Sequence, residues 1–277
     1  MEACEEWGCF RLVNHEVPLP LMMEMKAVVG ALLDLPSHVK RRNVDVIAGS
    51  GYMPPSPTNP LYEALGLYDM ASSQAVDDFS SQLDATPHQR EILKRFAEAI
   101  HGLAMDFAQK LAEGMGLVGY QFKGWPSQFR INKYSFTPET VGTSGVQIHT
   151  DSGFLTILQD DEDVGGLEVM DKFGRFIPVD PLRGSFVINL GDIAQAWSNG
   201  RLRSVQHRVQ CKEAKVRISI ASFLLGPKDT AVEASAELIS SENPRKYVPF
   251  TFEEYRKLRI ATKLQAGQAL ELLRVKS

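Results

Sequence analysis

The sequence predicts a mainly β protein with flanking helices, built on a double-stranded β-helix (jelly roll) core. Residues 128–226 alternate apolar and polar side chains in short runs between Gly- and Asn-bearing turns, the grammar of a sandwich or jelly roll. Residues 1–127 are mostly helical in pattern, and residues 227–277 read as a closing strand and helix. Together the 277 residues are expected to form one domain.

Residues 1–10 read as the tail of a helix that Gly8 ends; a short strand over 10–13 and a turn over 14–18 follow. From 20 to 35, Met22, Met23, Met25, Val28, Val29, Leu32 and Leu33 recur at helical spacing, a core stripe rather than a soft-metal box. Lys40-Arg41-Arg42 suits a helix C-terminus, where cations complement the dipole. Residues 49–60 are dense in Gly, Pro and Ser and read as loop. The period is unclear over 61–84, where Asp69, Asp77, Asp78 and Asp84 read as solvated.

Thr86-Pro87-His88-Gln89 is a helix start, with Thr86 as cap, Pro87 in the first turn and Gln89 closing a capping box. Ile92, Phe96, Ile100, Leu103, Phe107, Leu111 and Met115 then mark a long amphipathic helix that ends near Gly114-Met115-Gly116. In the strand over 129–134, Arg130, Asn132 and Tyr134 share one face. Further strands are expected at 146–150, 155–159, 167–170, 176–179, 185–190, 205–210 and 216–224. Thr251 and Glu254 form a second capping box for a last helix.

Composition narrows the function. Hydrophobic residues are 44% and charged residues 23%, as in ordinary globular proteins. A net charge of -4 and a pI near 5.9 supply no basic field for nucleic acid. No apolar run is long enough to span a bilayer, and the acidic opening is unlike a signal peptide. Cys4, Cys9 and Cys211 are too few and scattered for a disulfide framework, which suggests a reducing, cytoplasmic setting. Cys4 and Cys9 also lack the partners that a closed zinc site needs.

The chemistry concentrates in three places. His149 and Asp151 are two apart, so an extended strand aims both at one point. His207 follows after enough chain to cross a sheet several times and return. Two imidazoles and one carboxylate on one side of an ion leave the other side open, which suits non-haem Fe(II). Ten residues on, Arg217 and Ser219 alternate in the same way and make a clamp for a carboxylate. Two other readings stay open: core histidines with Arg217 bridged to Asp151, and a hydrolytic zinc site that leaves the clamp unexplained. His15 lies far from this cluster and reads as a loop or core histidine, and His88 and His101 have no ligand-spaced partners and read as structural or surface.

These motifs resemble the plant 2-oxoglutarate- and Fe(II)-dependent dioxygenases. The likeness extends to Gly191-Asp192, to the residues leading into His207-Arg208-Val209, to Glu6-Trp7-Gly8-Cys9-Phe10 and to Asn132-Lys133-Tyr134. Within the family, the stretch from His149 to Gln159, Ala196-Trp197-Ser198-Asn199-Gly200 and Phe223-Leu224-Leu225-Gly226-Pro227 are most similar to the auxin-oxidising members. The resemblance implies His149, Asp151 and His207 on Fe(II). It implies 2-oxoglutarate on Arg217 and Ser219 with Tyr134 as a third donor; Asn132, on the same face, is a further cofactor-site candidate, either steadying a ligand or only satisfying backbone. Indole-3-acetic acid would be oxidised with O₂ to the 2-oxindole, with succinate and CO₂ as co-products.

Phe154 and Phe223 are candidate walls for the indole, Arg130 is the candidate partner of its carboxylate, and Trp197 reads as structural. The expected partner is this small acid, not nucleic acid or membrane, with the chain a monomer or a ligand-dependent homo-oligomer. A gibberellin or flavonoid substrate is the alternative within the same chemistry; a metal-binding sensor without turnover is the alternative outside it. Two departures stand out. Ser135-Phe136-Thr137-Pro138-Glu139 replaces a proline- and cysteine-rich turn of many relatives, and the chain begins inside the first helix, which would expose a sheet edge.

Overall fold

Helix dominates the first part of the chain and strand the second. The computed structural model describes residues 1–57 and 59–276. The order is α1 (Glu2–Glu6), β1 (Cys9–Leu12), α2 (Leu19–Leu33), α3 (Ser37–Lys40), β2 (Tyr62–Tyr68), α4 (Ser73–Gln82) and α5 (Pro87–Gly114). There follow β3 (Ser127–Ser135), β4 (Ser144–His149), β5 (Leu155–Gln159), β6 (Leu167–Met170), β7 (Phe176–Pro178) and β8 (Phe186–Leu190). The last elements are α6 (Asp192–Trp197), β9 (His207–Gln210), β10 (Val216–Leu224), α7 (Phe252–Thr262) and α8 (Gln268–Glu271).

Helix α5 forms where its cap places it: Thr86 accepts from the Gln89 N–H and the Gln89 side chain returns to the Thr86 N–H. It buries Ile92, Phe96, Ile100, Ala104, Ala108 and Leu111, so small residues carry the stripe in its second half. Phe107, expected on that stripe, is half-buried and packs on Phe10. Each large side chain removed from water here contributes about 1.5–3 kcal/mol. The second predicted capping box also forms, with Thr251 and Glu254 starting α7.

The strands make two antiparallel sheets, ordered β1-β8-β5-β10-β3-β2 and β4-β9-β6-β7. The larger sheet has two different faces. Phe129 and Ile131 of β3 and Ile220 of β10 join the core beneath α2 and α5. The alternate residues Arg130, Asn132 and Tyr134 face the opposite way, level with Ala221, Ser219 and Arg217. Against this second face lie Val146, Leu167 and Val209 of the smaller sheet, which form a second cluster with Tyr134, Leu158 and Ala221. The site lies between the sheets.

Several expectations shift. The segment 61–84 holds β2, an edge strand, and α4. Its acids are not merely solvated, since Asp77 pairs with Arg90 and Lys94 at 2.6 and 3.0 Å and Asp84 pairs with Arg42. Strand β9 begins at His207 rather than at 205, and β4 ends at His149. Strand β1 forms the other edge of the large sheet. Among the described residues no helix is long and apolar enough to cross a membrane.

Candidate active site

The β4–β9 ladder sets His149 directly opposite His207, with ring centroids 4.2 Å apart. Two register irregularities in β4 precede this pair, the kind of bulging that re-aims side chains beside active sites. Asp151 lies beyond the end of β4, not within an extended strand as the spacing suggested. Its Oδ1 nevertheless sits 3.9 Å from His149 Nε2 and 3.7 Å from His207 Nε2. Bonds of about 2.0–2.2 Å allow two ligands of one ion to lie up to about 4.3 Å apart. One ligand atom from each of the three side chains lies within 4.8 Å of the other two, so they can converge on a single ion.

The surrounding groups present the correct atoms. His149 Nδ1 meets the Gln147 carbonyl at 2.9 Å and His207 Nδ1 meets the Val205 carbonyl at 3.2 Å. A ring nitrogen facing a carbonyl carries the proton, which leaves both Nε2 lone pairs for the metal. Thr156 donates to Asp151 Oδ2 at 2.5 Å and leaves Oδ1 free. Burial, reinforced by His207, pushes His149 down to about 4, so it is a neutral ligand near pH 7. Burial works to raise the Asp151 carboxyl, but His207 and His149 outweigh it and hold it below the ordinary range.

Thr150, between two of these ligands, is held from behind. Its hydroxyl donates to Asp192 at 3.0 Å, while Arg259 of α7 donates to its hydroxyl at 3.1 Å and to its carbonyl at 2.8 Å. Asp192 is fully buried and also accepts from Tyr255, Ser204 and Arg259. Burial raises its carboxyl and Arg259 opposes the rise. Gly191 must lack a side chain, because a Cβ there would stand 2.3 Å from the Gly153 carbonyl.

The predicted carboxylate clamp forms across two strands. Arg217 is opposite Tyr134 and Ser219 is opposite Asn132 in the β10–β3 ladder. Arg217 lies 5.0 Å from the Tyr134 ring centroid, and its Nη1 is 3.4 Å from Ser219 Oγ. Asn132 accepts from the Tyr62 hydroxyl at 2.8 Å and reaches Ser219 at 3.4 Å, so it braces the clamp. Arg217 is 1% exposed and paired with Asp160, not with Asp151. Its Nε has no partner, a buried donor that an anionic ligand would satisfy. Metal triad and clamp line one cavity of about 370 Å³, within the roughly 300–1,000 Å³ of small-molecule sites.

The remaining expectations divide. Phe223 is half-buried and lines the cavity. Phe154 does not: it is fully buried among Phe122, Trp125 and Trp197, and this aromatic core takes it away from the ligand space. Arg130 lines the cavity while donating to the carbonyls of Gly49 and Gly51, both at 2.5 Å. Trp197 is core, as expected. Asp160, Thr156, Asn189, Arg256 and Arg259 escaped the sequence reading. Only the last two left a signal, arginines three apart on a helix.

The 2OG-Fe(II) oxygenase superfamily pattern matches residues 125–226, and that of the N-terminal region of non-haem dioxygenases in morphine synthesis matches residues 1–92. The 2-oxoglutarate-dependent dioxygenase DAO of rice (Oryza sativa) is 57% identical over 273 residues, which cover 98% of this chain and 91% of that one. The crystal structure of the rice dioxygenase for auxin oxidation superimposes with a TM-score of 0.92 at 56% identity, over 99% of this chain and 92% of that one. The 2-oxoglutarate binary complex of the Arabidopsis thaliana dioxygenase for auxin oxidation 1 gives 0.86 at 63% identity, over 88% and 92%. With the triad, the clamp and these relatives agreeing, this chain belongs to the 2-oxoglutarate- and Fe(II)-dependent oxygenases.

Proposed function

We propose that this chain oxidises indole-3-acetic acid to its 2-oxindole, consuming 2-oxoglutarate and O₂ and releasing succinate and CO₂. One observation carries the reading: a His149/Asp151/His207 triad and an Arg217/Ser219 clamp share one cavity in a chain 57% identical to the rice dioxygenase. Fe(II) bound by the triad supplies O₂ activation coupled to loss of CO₂ from 2-oxoglutarate.

The side chains do the rest. Arg217 and Ser219 bind the far carboxylate of 2-oxoglutarate, and the Tyr134 hydroxyl, which lies against both, is the third donor. A charge-assisted bond of this kind contributes about 1.5–3 kcal/mol, enough to set orientation. Asn132 keeps Ser219 in place. Val146, Leu158, Leu167 and Val209 wall the cavity and exclude water from the reacting atoms. Phe223 offers an aromatic wall to the indole, and Arg130 offers a cation to its carboxylate.

The test supplies Fe(II), 2-oxoglutarate and O₂ and measures succinate with and without auxin. One succinate per oxindole formed is expected. Succinate that ignores auxin sinks the reading, and faster turnover of a gibberellin or flavonoid offered in parallel replaces the substrate.

A further inference from the structure

Four arginines line the cavity: Arg130, Arg217, Arg256 and Arg259. Two are neutralised by buried carboxylates, Arg217 by Asp160 and Arg259 by Asp192. The other two have no such partner. Arg130 donates to the Gly49 and Gly51 carbonyls, and Arg256 donates to the Ala48 carbonyl. Among the described residues neither forms an ion pair. Peptide carbonyls orient a guanidinium without cancelling its charge. Two positive charges, one from β3 and one from α7, therefore face the same cavity without a carboxylate in direct contact.

The loop that holds them is built by its own side chains. Asp45 accepts from the N–H groups of Gly49 and Gly51 at 2.8 and 2.6 Å, which closes the loop, and acts on Arg256 through space without a direct ion pair. Ser50 accepts from Val46 and Ile47 at 2.9 and 3.0 Å. The loop rests on β2 so closely that a Cβ at Gly66 would stand 1.8 Å from the Ser50 carbonyl. This closure turns the carbonyls of residues 48, 49 and 51 toward the two arginines. Arg256 uses one nitrogen on the loop and Arg130 uses two, so each keeps donors for a ligand.

We infer that Arg130 and Arg256 together form the receptor for the substrate carboxylate, and that the same two guanidiniums fasten the 45–51 loop over the bound acid. The inference rests on the proposed reaction and adds the residue and the loop that select its substrate. It also separates the two acids the enzyme must hold. The cosubstrate goes to an arginine braced by a carboxylate. The substrate goes to a pair that no carboxylate contacts. Arg256 is a specificity residue here, with no part in the chemical step.

The experiment compares indole-3-acetic acid with its primary amide, which has nearly the same shape and no charge. Calorimetry on protein loaded with Mn(II) and 2-oxoglutarate reads binding, and turnover with Fe(II) is read separately. Arg256→Gln should weaken acid binding about 10- to 100-fold, leave the amide within about twofold and leave 2-oxoglutarate affinity within about twofold. Arg256→Lys should recover part of the loss. Equal losses for acid and amide, or a parallel loss of 2-oxoglutarate affinity, would reduce Arg256 to a loop fastener and overturn the inference. Should Arg256→Gln fail to fold, Arg256→Lys and Arg130→Gln carry the same acid-to-amide comparison. Wild-type protein that binds the acid but does not oxidise it overturns the reaction alone. Protein that prefers the amide or binds neither overturns both.

Discussion

Asp160→Asn tests how the cosubstrate end is held. Arg217 and Asp160 are 1% and 4% exposed and form, among the described residues, the one ion pair of that guanidinium. The other contacts of Arg217 are weak: a ring centroid at 5.0 Å and a hydroxyl at 3.4 Å. Removing one partner of a buried pair costs about 3–5 kcal/mol. Asparagine still accepts one neutral hydrogen bond and returns about 1 kcal/mol, so the net loss is about 2–4 kcal/mol. Unfolding entropy near 2.1 cal/mol/K per residue makes about 0.6 kcal/mol/K for this chain, so Tm should fall by about 3–7 °C. Arg217 would then rely on the ligand for its counter-charge. The Tm gain on adding 2-oxoglutarate should accordingly be larger in the variant than in the wild type. Scanning fluorimetry with and without 2-oxoglutarate reads both quantities. An unchanged Tm, or a ligand increment no larger than that of the wild type, refutes the view that Asp160 balances Arg217.

His207→Ala should abolish Fe(II) binding and turnover together, and near-normal turnover would contradict its assignment as a ligand. With Arg217→Ala, the 2-oxoglutarate concentration required should rise about 10- to 100-fold while the auxin requirement changes little, as measured by KM for each. For Phe154→Leu, a lower Tm with unchanged KM for auxin is expected, since the ring belongs to the aromatic core; a changed KM would return Phe154 to the substrate site. Glu168, 8% exposed, resists the rise that burial favours because Lys212 and Arg208 bond to it, and lies below its ordinary 4.5. A depressed folded-state value stabilises fully above pH 4.5 and is lost as pH falls through the folded value. The Tm gap between wild type and Glu168→Gln should therefore close under acid; a gap that widens there contradicts the assignment.

Local periodicity made much of this legible. The alternation in β3 and β10 placed Arg130, Asn132, Tyr134, Arg217 and Ser219 on one face, because side chains two apart cannot do otherwise in a strand. The capping boxes at Thr86 and Thr251 are equally local. What escaped depends on pairings between distant segments. Asp160 meets Arg217 across 57 positions, brought together only because β5 and β10 are neighbours. Phe154 has the parity of Thr156 and Leu158, both cavity residues, yet it precedes the first residue of β5 and the bend there turns it into the core. Strand β2 shows no clean alternation because both its faces are covered. Helix α4 has a polar sequence and rests on Val76, Phe79 and Ser80 alone, while α6, at six residues, is too short to announce itself.

The spacing of His149 and Asp151 therefore works for a different reason from the one it suggests. A strand would fix both side chains by its pleat, but β4 stops at the histidine. Past that point the angle between the two ligands depends on the backbone of Thr150. Arg259 grips the carbonyl of that residue from 109 positions away, and Asp192 takes its hydroxyl. The step from His149, which the ladder holds, to Asp151 is thus braced by the docking of helix α7 through Arg259. The same helix presents Arg256 to the cavity one turn earlier. Displacement of α7 would therefore move the Arg259 brace on Thr150 and the cavity-lining Arg256 together.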